Sequence, residues 1–234
     1  LYYFNSYKKW FEPIIRPGEI LGDPIMGVTG DKSGNLWLSS TIGLIKYTPT
    51  NGTFHLYDEN DGLQSKEFNA GAFYRSPDGE LFFGGINGFN SFYPDNLKEN
   101  TYRPPVIISE FQIFNKTIKP GINSILKASI DDTSEITLKY NQSVVSFQFV
   151  ALNYISSQKN QYSYILEGFD KEWITTDASR RFATYTNLDP GSYRFRVKAS
   201  NNDGIWNETG TSVNITVLPP LWKTWWAYMI YIII

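Results

Sequence analysis

The feature that most constrains this chain is an internal repeat in its first hundred residues. Asp31-Lys32-Ser33-Gly34-Asn35-Leu36-Trp37-Leu38 lines up with Ser76-Pro77-Asp78-Gly79-Glu80-Leu81-Phe82-Phe83 at an offset of 45 residues. The same offset carries Gly43-Leu44 onto Gly88-Phe89 and Pro49 onto Pro94. A partial third copy precedes them, with Leu1-Tyr2-Tyr3-Phe4-Asn5 matching Leu44-Ile45-Lys46-Tyr47-Thr48 and Phe11 matching Phe54 at an offset of 43. A period of about 40–50 residues, built from short strands and Gly turns, is the signature of propeller blades. In each unit Ser33-Gly34-Asn35 or Asp78-Gly79-Glu80 makes a hairpin turn, because Gly supplies the positive φ that such turns need. Leu36-Trp37-Leu38 and Leu81-Phe82-Phe83 then read as short apolar strands buried between blades. A blade cannot bury both faces alone, so the expectation is that most of the propeller lies upstream of Leu1.

A boundary is expected at Asn100-Thr101-Tyr102-Arg103-Pro104-Pro105, where paired prolines resist both helix and ladder pairing. Beyond it the 45-residue echo stops. Residues 106–114, 135–140, 144–151, 161–166, 182–187, 193–199 and 212–217 read as strands, and about seven strands at this spacing argue for a β-sandwich. The clearest runs from Leu188 to Ala199. Tyr193, Phe195, Val197 and Ala199 fall on one face and Arg194, Arg196 and Lys198 on the other, the period-two pattern of a strand with one wet face. Tyr193, just after the Pro190-Gly191 turn, resembles a tyrosine corner, whose hydroxyl ties back to upstream backbone.

After Leu218 the character changes abruptly. Ala227 to Ile234 is apolar but only eight residues long, against the roughly 20 that a spanning helix needs. Trp222, Lys223, Trp225 and Trp226 stand immediately before it, and Trp and Lys anchor at membrane interfaces. The expectation is the start of a transmembrane helix. The full reading is all-β: the last blades of an incomplete β-propeller over 1–103, an immunoglobulin- or fibronectin-like β-sandwich over 104–218, and a juxtamembrane segment entering the membrane over 219–234.

Several function classes find little support. With no cysteine, disulfide frameworks and thiolate metal sites are excluded. The net charge of −2 hides no basic block, so nucleic acid has no electrostatic footprint here. The lone histidine, His55, has neither a second histidine nor a Gly-Xaa-Ser-Xaa-Gly elbow for company, which leaves nucleophile triads and metal chemistry little to work with. Carboxylates near Asp58-Glu59-Asn60-Asp61 and Glu167, Asp170 and Glu172 would suit glycoside hydrolysis, but they read better as a solvated turn and a loop that positions Trp173. No catalytic residue, metal or cofactor is expected. Rings that would stack on sugars are Trp10, Tyr57 and Phe73, each of which would equally serve to pack between blades.

The blade motif, centred on Trp37, resembles the two-component regulator propeller repeat. The stretches Tyr164-Ile165-Leu166-Glu167-Gly168-Phe169-Asp170-Lys171-Glu172-Trp173, Ala183 to Tyr193 and Pro219 to Trp226 are similar to the triple-tyrosine (Y_Y_Y) domain that follows such propellers. The resemblance covers nearly the whole chain. It makes Tyr164, Tyr185 and Tyr193 candidates for the naming tyrosines. Phe82-Phe83 departs from the Trp-containing strand of the motif, as suits a last, atypical blade. The family implied is the sensor histidine kinases, often hybrid, of Bacteroides-like bacteria, many of which respond to oligosaccharides. The resemblance implies a periplasmic segment of an inner-membrane protein that forms a homodimer through the sandwich and membrane helix. It also implies an oligosaccharide ligand held mostly upstream. The competing readings are a membrane-anchored glycan-binding or adhesion ectodomain without a kinase, and a propeller hydrolase with an accessory sandwich.

Overall fold

The computed structural model describes residues 2–13 and 23–223. The chain divides into two compact units, Leu1–Glu99 and Asn100–Ile234. Among the described residues both are built from strands, with helix confined to single 3₁₀ turns.

In the first unit the repeat becomes three successive sheets. A hairpin of β1 (Tyr2–Asn5) and β2 (Trp10–Pro13) comes first, then a four-stranded meander of β3 (Ile25–Gly30), β4 (Leu36–Ser40), β5 (Leu44–Thr48) and β6 (Thr53–Tyr57). The third sheet holds β7 (Phe68–Arg75), β8 (Leu81–Gly85) and β9 (Gly88–Phe92). The 43-residue offset is visible in register: Phe4 pairs with Phe11 across β1 and β2, as Tyr47 pairs with Phe54 across β5 and β6. The rings of both pairs touch, with centroids 5.3 and 4.5 Å apart. The 45-residue offset is visible in the turns. Asp31 N donates to Asn35 O at 3.0 Å and Ser76 N to Glu80 O at 2.9 Å, with Gly34 at φ 84° and Gly79 at φ 104°. The copies are also tied to each other, since Arg75 Nη1 donates to Gly30 O at 2.9 Å and Lys32 Nζ donates to Asp78 O.

The two copies differ at their centre for a legible reason. Trp37 is fully buried, and its Nε1–H donates to Asp31 Oδ2 at 2.9 Å. Asp31 also accepts from the backbone N–H groups of Ser33 and Asn35 and from Asn35 Nδ2. Burial opposes its ionisation, but these four hydrogen bonds outweigh burial and hold the carboxyl below its usual range. In the later copy Phe82 replaces the tryptophan and Ser76 replaces the aspartate. An indole N–H and its acceptor are lost together, which avoids leaving either buried and unpaired.

The second unit holds two sheets around one core. The first, in the order β11 (Lys116–Thr117), β10 (Val106–Ile113), β13 (Val145–Ala151) and β16 (Phe182–Tyr185), is antiparallel throughout. The second runs β12 (Glu135–Leu138), β18 (Trp206–Val217), β17 (Gly191–Ser200), β14 (Gln161–Glu167) and β15 (Ile174–Asp177), with β12 parallel to β18. Phe111, Phe147 and Phe149 from the first sheet meet Leu166, Phe195, Val197 and Ile215 from the second in a single buried cluster. Phe147 stacks on Phe195 with centroids 4.4 Å apart and planes 11° from parallel, so aromatic area joins the sheets at their centre. The alternation along β17 places Phe195, Val197 and Ala199 in the core, with Tyr193 packed at its margin. Two strands fall where sequence periodicity is silent, β11 because it is two residues long and β15 because Ile174–Asp177 is an exposed edge without alternation.

The expected membrane entry falls largely outside the described residues. Leu221–Lys223 is a 3₁₀ turn. The Lys223 side chain, Trp225, Trp226 and the apolar run to Ile234 lie beyond what is described. Among the described residues no helix is long and apolar enough to cross a membrane.

Candidate functional site

The tyrosines singled out above converge on one loop. Gly168, at φ 94°, turns the chain out of β14. Phe169 and Asp170 then fold back, their N–H groups donating to Leu166 O at 3.0 and 2.8 Å. The Asp170 carboxylate closes the loop by accepting from Leu166 N at 2.7 Å. The same oxygen, Oδ2, accepts the Tyr185 hydroxyl at 2.7 Å, which pins a loop between two strands of one sheet to a strand of the other. Burial first, then the hydrogen bond to Asp170 and its negative charge, push the Tyr185 hydroxyl far above the usual tyrosine range. Burial and the same carboxylate also raise Tyr164, whose ring lies 5.6 Å from Phe149. Tyr193 behaves as a tyrosine corner, its hydroxyl donating to Asp189 O at 3.0 Å.

Asp170 is the residue that sequence reasoning placed least well. It stood in a carboxylate trio read as a loop, and nothing in the spacing joined it to Tyr185, 15 residues away. Trp173 follows that loop in the chain. Its indole faces Arg196 Cζ at 5.3 Å and Lys198 Nζ at 4.9 Å, and Lys198 lies 5.5 Å from Trp206 as well. Arg196 pairs with Glu167 at 2.8 Å and Lys198 with Glu208 at 2.7 Å. The wet face of β17 is thus a ladder of cations between indoles and carboxylates.

The three rings proposed for sugar contact have different settings. Trp10 is 60% exposed on β2. Phe73 packs against the neighbouring sheet, so closely that a Cβ on Gly27 would lie 2.3 Å from its Cδ1. Tyr57 stacks beside Trp37 at 5.6 Å and helps line a cavity of about 160 Å³ with Asp61, Asn90 and Phe92, smaller than the roughly 300 Å³ at which ligand pockets begin. His55 sits 4.4 Å from the Tyr57 ring. Among the described residues no group of three or more His, Cys, Asp or Glu side chains is placed to hold a metal ion. At the exit, the exposed Trp222 meets Tyr140 edge to face at 5.1 Å.

These elements have counterparts in known proteins. Residues 153–218, which span the Asp170 loop and all three tyrosines, match the Y_Y_Y domain. Histidine kinase P4 of Formosa agariphila is 38% identical over 231 residues, 97% of this chain. The extracellular domain of BT3049 from B. thetaiotaomicron, described as a hybrid two component system, superposes with a TM-score of 0.70 at 28% identity over 83% of this chain. Over nearly its whole length the chain is therefore similar to part of a histidine kinase and to part of the extracellular domain of a two component system. The Y_Y_Y match lies within the second of the two units. The chain spans 17% of the length of the Formosa relative and 26% of the BT3049 chain.

Proposed function

We propose that this chain is the periplasmic sensing and transmitting segment of an inner-membrane, hybrid two-component histidine kinase that responds to an oligosaccharide. In this reading 1–103 are the last blades of a propeller completed by residues outside this chain. Residues 104–218 form an immunoglobulin-like sandwich, and 219–234 begin the membrane helix. Two copies meet through their sandwiches, and ligand binding changes how those sandwiches sit against each other.

The observation that carries the reading is the setting of β18. It is the longest strand of the Y_Y_Y domain and the last before Pro219, and it is hydrogen-bonded on both sides. β17 holds it antiparallel from Ser200–Trp206 to Gly191–Val217, and β12 holds it parallel from Asn214 to Val217. Leu218 N then donates to Leu138 O at 2.8 Å. A strand clamped on both edges until it leaves the domain passes a displacement of the domain on to whatever follows. A ligand drives that displacement only if it binds the two arrangements with different affinity.

The chain has no cysteine, so Leu218→Cys introduces a single reporter thiol within it. Disulfide crosslinking of this variant in the full-length protein, in membranes, is compared with and without a panel of glycan-derived oligosaccharides. Crosslinking is expected to shift with those oligosaccharides that change phosphotransfer. A phosphotransfer response with unchanged crosslinking would sink the dimer mechanism.

A further inference from the structure

The chain segment entering the second unit is tied to the hairpin that leads out of it. Asn201, completely buried, begins the turn between β17 and β18. Its Nδ2 donates to Tyr102 O at 2.8 Å and also to Asn100 O. Its Oδ1 accepts from Asp203 N and Ile205 N, both at 2.9 Å. A primary amide offers two donor hydrogens and two acceptor lone pairs, and here all four are used. One end of the amide holds the incoming segment and the other end shapes the turn.

The surroundings repeat this logic. Asn100 N donates to Asp203 Oδ2 at 2.5 Å, and Asn100 Nδ2 donates to Asn202 Oδ1 at 2.8 Å. Asn207, at the start of β18, donates through Nδ2 to Pro104 O at 2.9 Å and accepts through Oδ1 from Thr209 N and Gly210 N. Asn153, also buried, joins the cluster by donating to Asn202 Oδ1 at 3.3 Å as well as to Asn160 Oδ1 at 2.8 Å. Paired prolines at 104 and 105 cannot donate to a ladder, so side-chain amides provide the attachment that a β-ladder would otherwise make.

We propose that Asn201, seconded by Asn207, is a positioning residue that locks the entering segment 100–104 to β18, making that strand a connecting rod. β18 has 12 residues, about 40 Å at the rise of an extended strand. Its first end is clamped to the point where the chain enters the domain, and its last end is where the chain leaves. A displacement arriving at Asn100 therefore reaches Val217 along β18, past the bulge at 208–210 and then through the ladder that runs unbroken from Thr211 to Val217. The functional half of this proposal rests on the two-component reading above; the mechanical half stands on geometry alone.

Asn201→Asp separates the two ends of the amide. The carboxylate still accepts from Asp203 and Ile205 but donates nothing to Asn100 O or Tyr102 O, toward which it places a negative charge. Asn207→Asp does the same for Pro104 O and serves where Asn201→Asp does not fold, as judged by near-ultraviolet circular dichroism. With Arg103→Cys and Leu218→Cys as the spin-label pair, the wild-type background should give one narrow distance distribution and either Asp variant a distribution at least twice as wide. Amide exchange at Asn100 and Tyr102 should quicken about tenfold or more, while residues 211–217 stay protected. A wide distribution in the wild-type background, or an unchanged one in both variants, overturns the rod. In the full-length protein the folded Asp variant should lose most of its oligosaccharide-driven phosphotransfer, and a broadened distribution with an intact response overturns the transmitting role. If the wild-type full-length protein shows no phosphotransfer at all, the two-component reading fails, and the distance and exchange measurements still decide the clamp.

Discussion

The Asp170–Tyr185 bond illustrates how a single hydrogen bond sets a pH limit on stability. Tyr185 is held neutral by burial and by the carboxylate it donates to, so its folded pKa lies above the unfolded value of 10.0. The stabilisation is fully present below pH 10. Above that, the unfolded chain releases the phenolic proton while the folded chain keeps it, and stability falls as pH rises. Tyr164, raised by burial and the same carboxylate, acts in the same direction. Urea unfolding of the second unit followed from pH 8 to 11 should therefore show a steep alkaline loss in the wild type. Tyr185→Phe, which has no proton to release, should start less stable and lose less across that range. Equal slopes for the two proteins would contradict this account. The tyrosine itself was legible in the motif, but its partner was not, because a contact across two sheets leaves no periodicity.

At the scale of elements, the β17–β18 hairpin depends on one irregularity. Its register shifts between Val197 and Ala199, opposite a bulge that ends at Gly210. Gly210 lies at φ 57°, and a Cβ there would stand 2.1 Å from the Val197 carbonyl oxygen. A side chain at this position meets backbone, which cannot step aside as a flexible side chain would. Gly210→Ala should therefore cost about 1–3 kcal/mol, the scale of local backbone strain and its relief, read as a shift in the denaturant midpoint at an unchanged slope. A variant as stable as wild type would show that the hairpin can be re-registered. Alternation along β17 is plain in the sequence, since Arg194, Arg196 and Lys198 interleave with Phe195, Val197 and Ala199. The bulge beside it is hidden, because Gly210 reads like any other turn glycine.

For the whole molecule, the two units differ in how much apolar surface they bury for themselves. The second encloses a continuous core fed by both sheets, whereas the buried cluster of the first is Trp37, Leu44, Phe68, Leu81 and Phe83. Phe4, Phe11, Tyr74 and Phe89 remain exposed in that unit. Repeat units draw much of their stability from neighbours, so this chain studied alone should unfold in two steps, residues 1–99 first. Hydrogen exchange in increasing urea resolves the units separately. A single cooperative loss of protection across both would show that they are energetically one body.

The offsets of 45 and 43 residues, the proline pair and the alternation of β17 could be read from the chain, because each is local or periodic and repetition marks equivalent environments. The exchange of Asp31 and Trp37 for Ser76 and Phe82 is visible in the aligned copies too, although only the hydrogen bond between the first pair explains why they change together. What the tertiary structure decided is which polar residues meet: Asp170 with Tyr185, and Asn201 with the carbonyls of Asn100 and Tyr102. Asparagines and aspartates in loops carry the same signal whether they cap a turn, face water or clamp two distant segments. Long-range hydrogen bonds assign those roles, and such bonds form only once two sheets have closed on a common core.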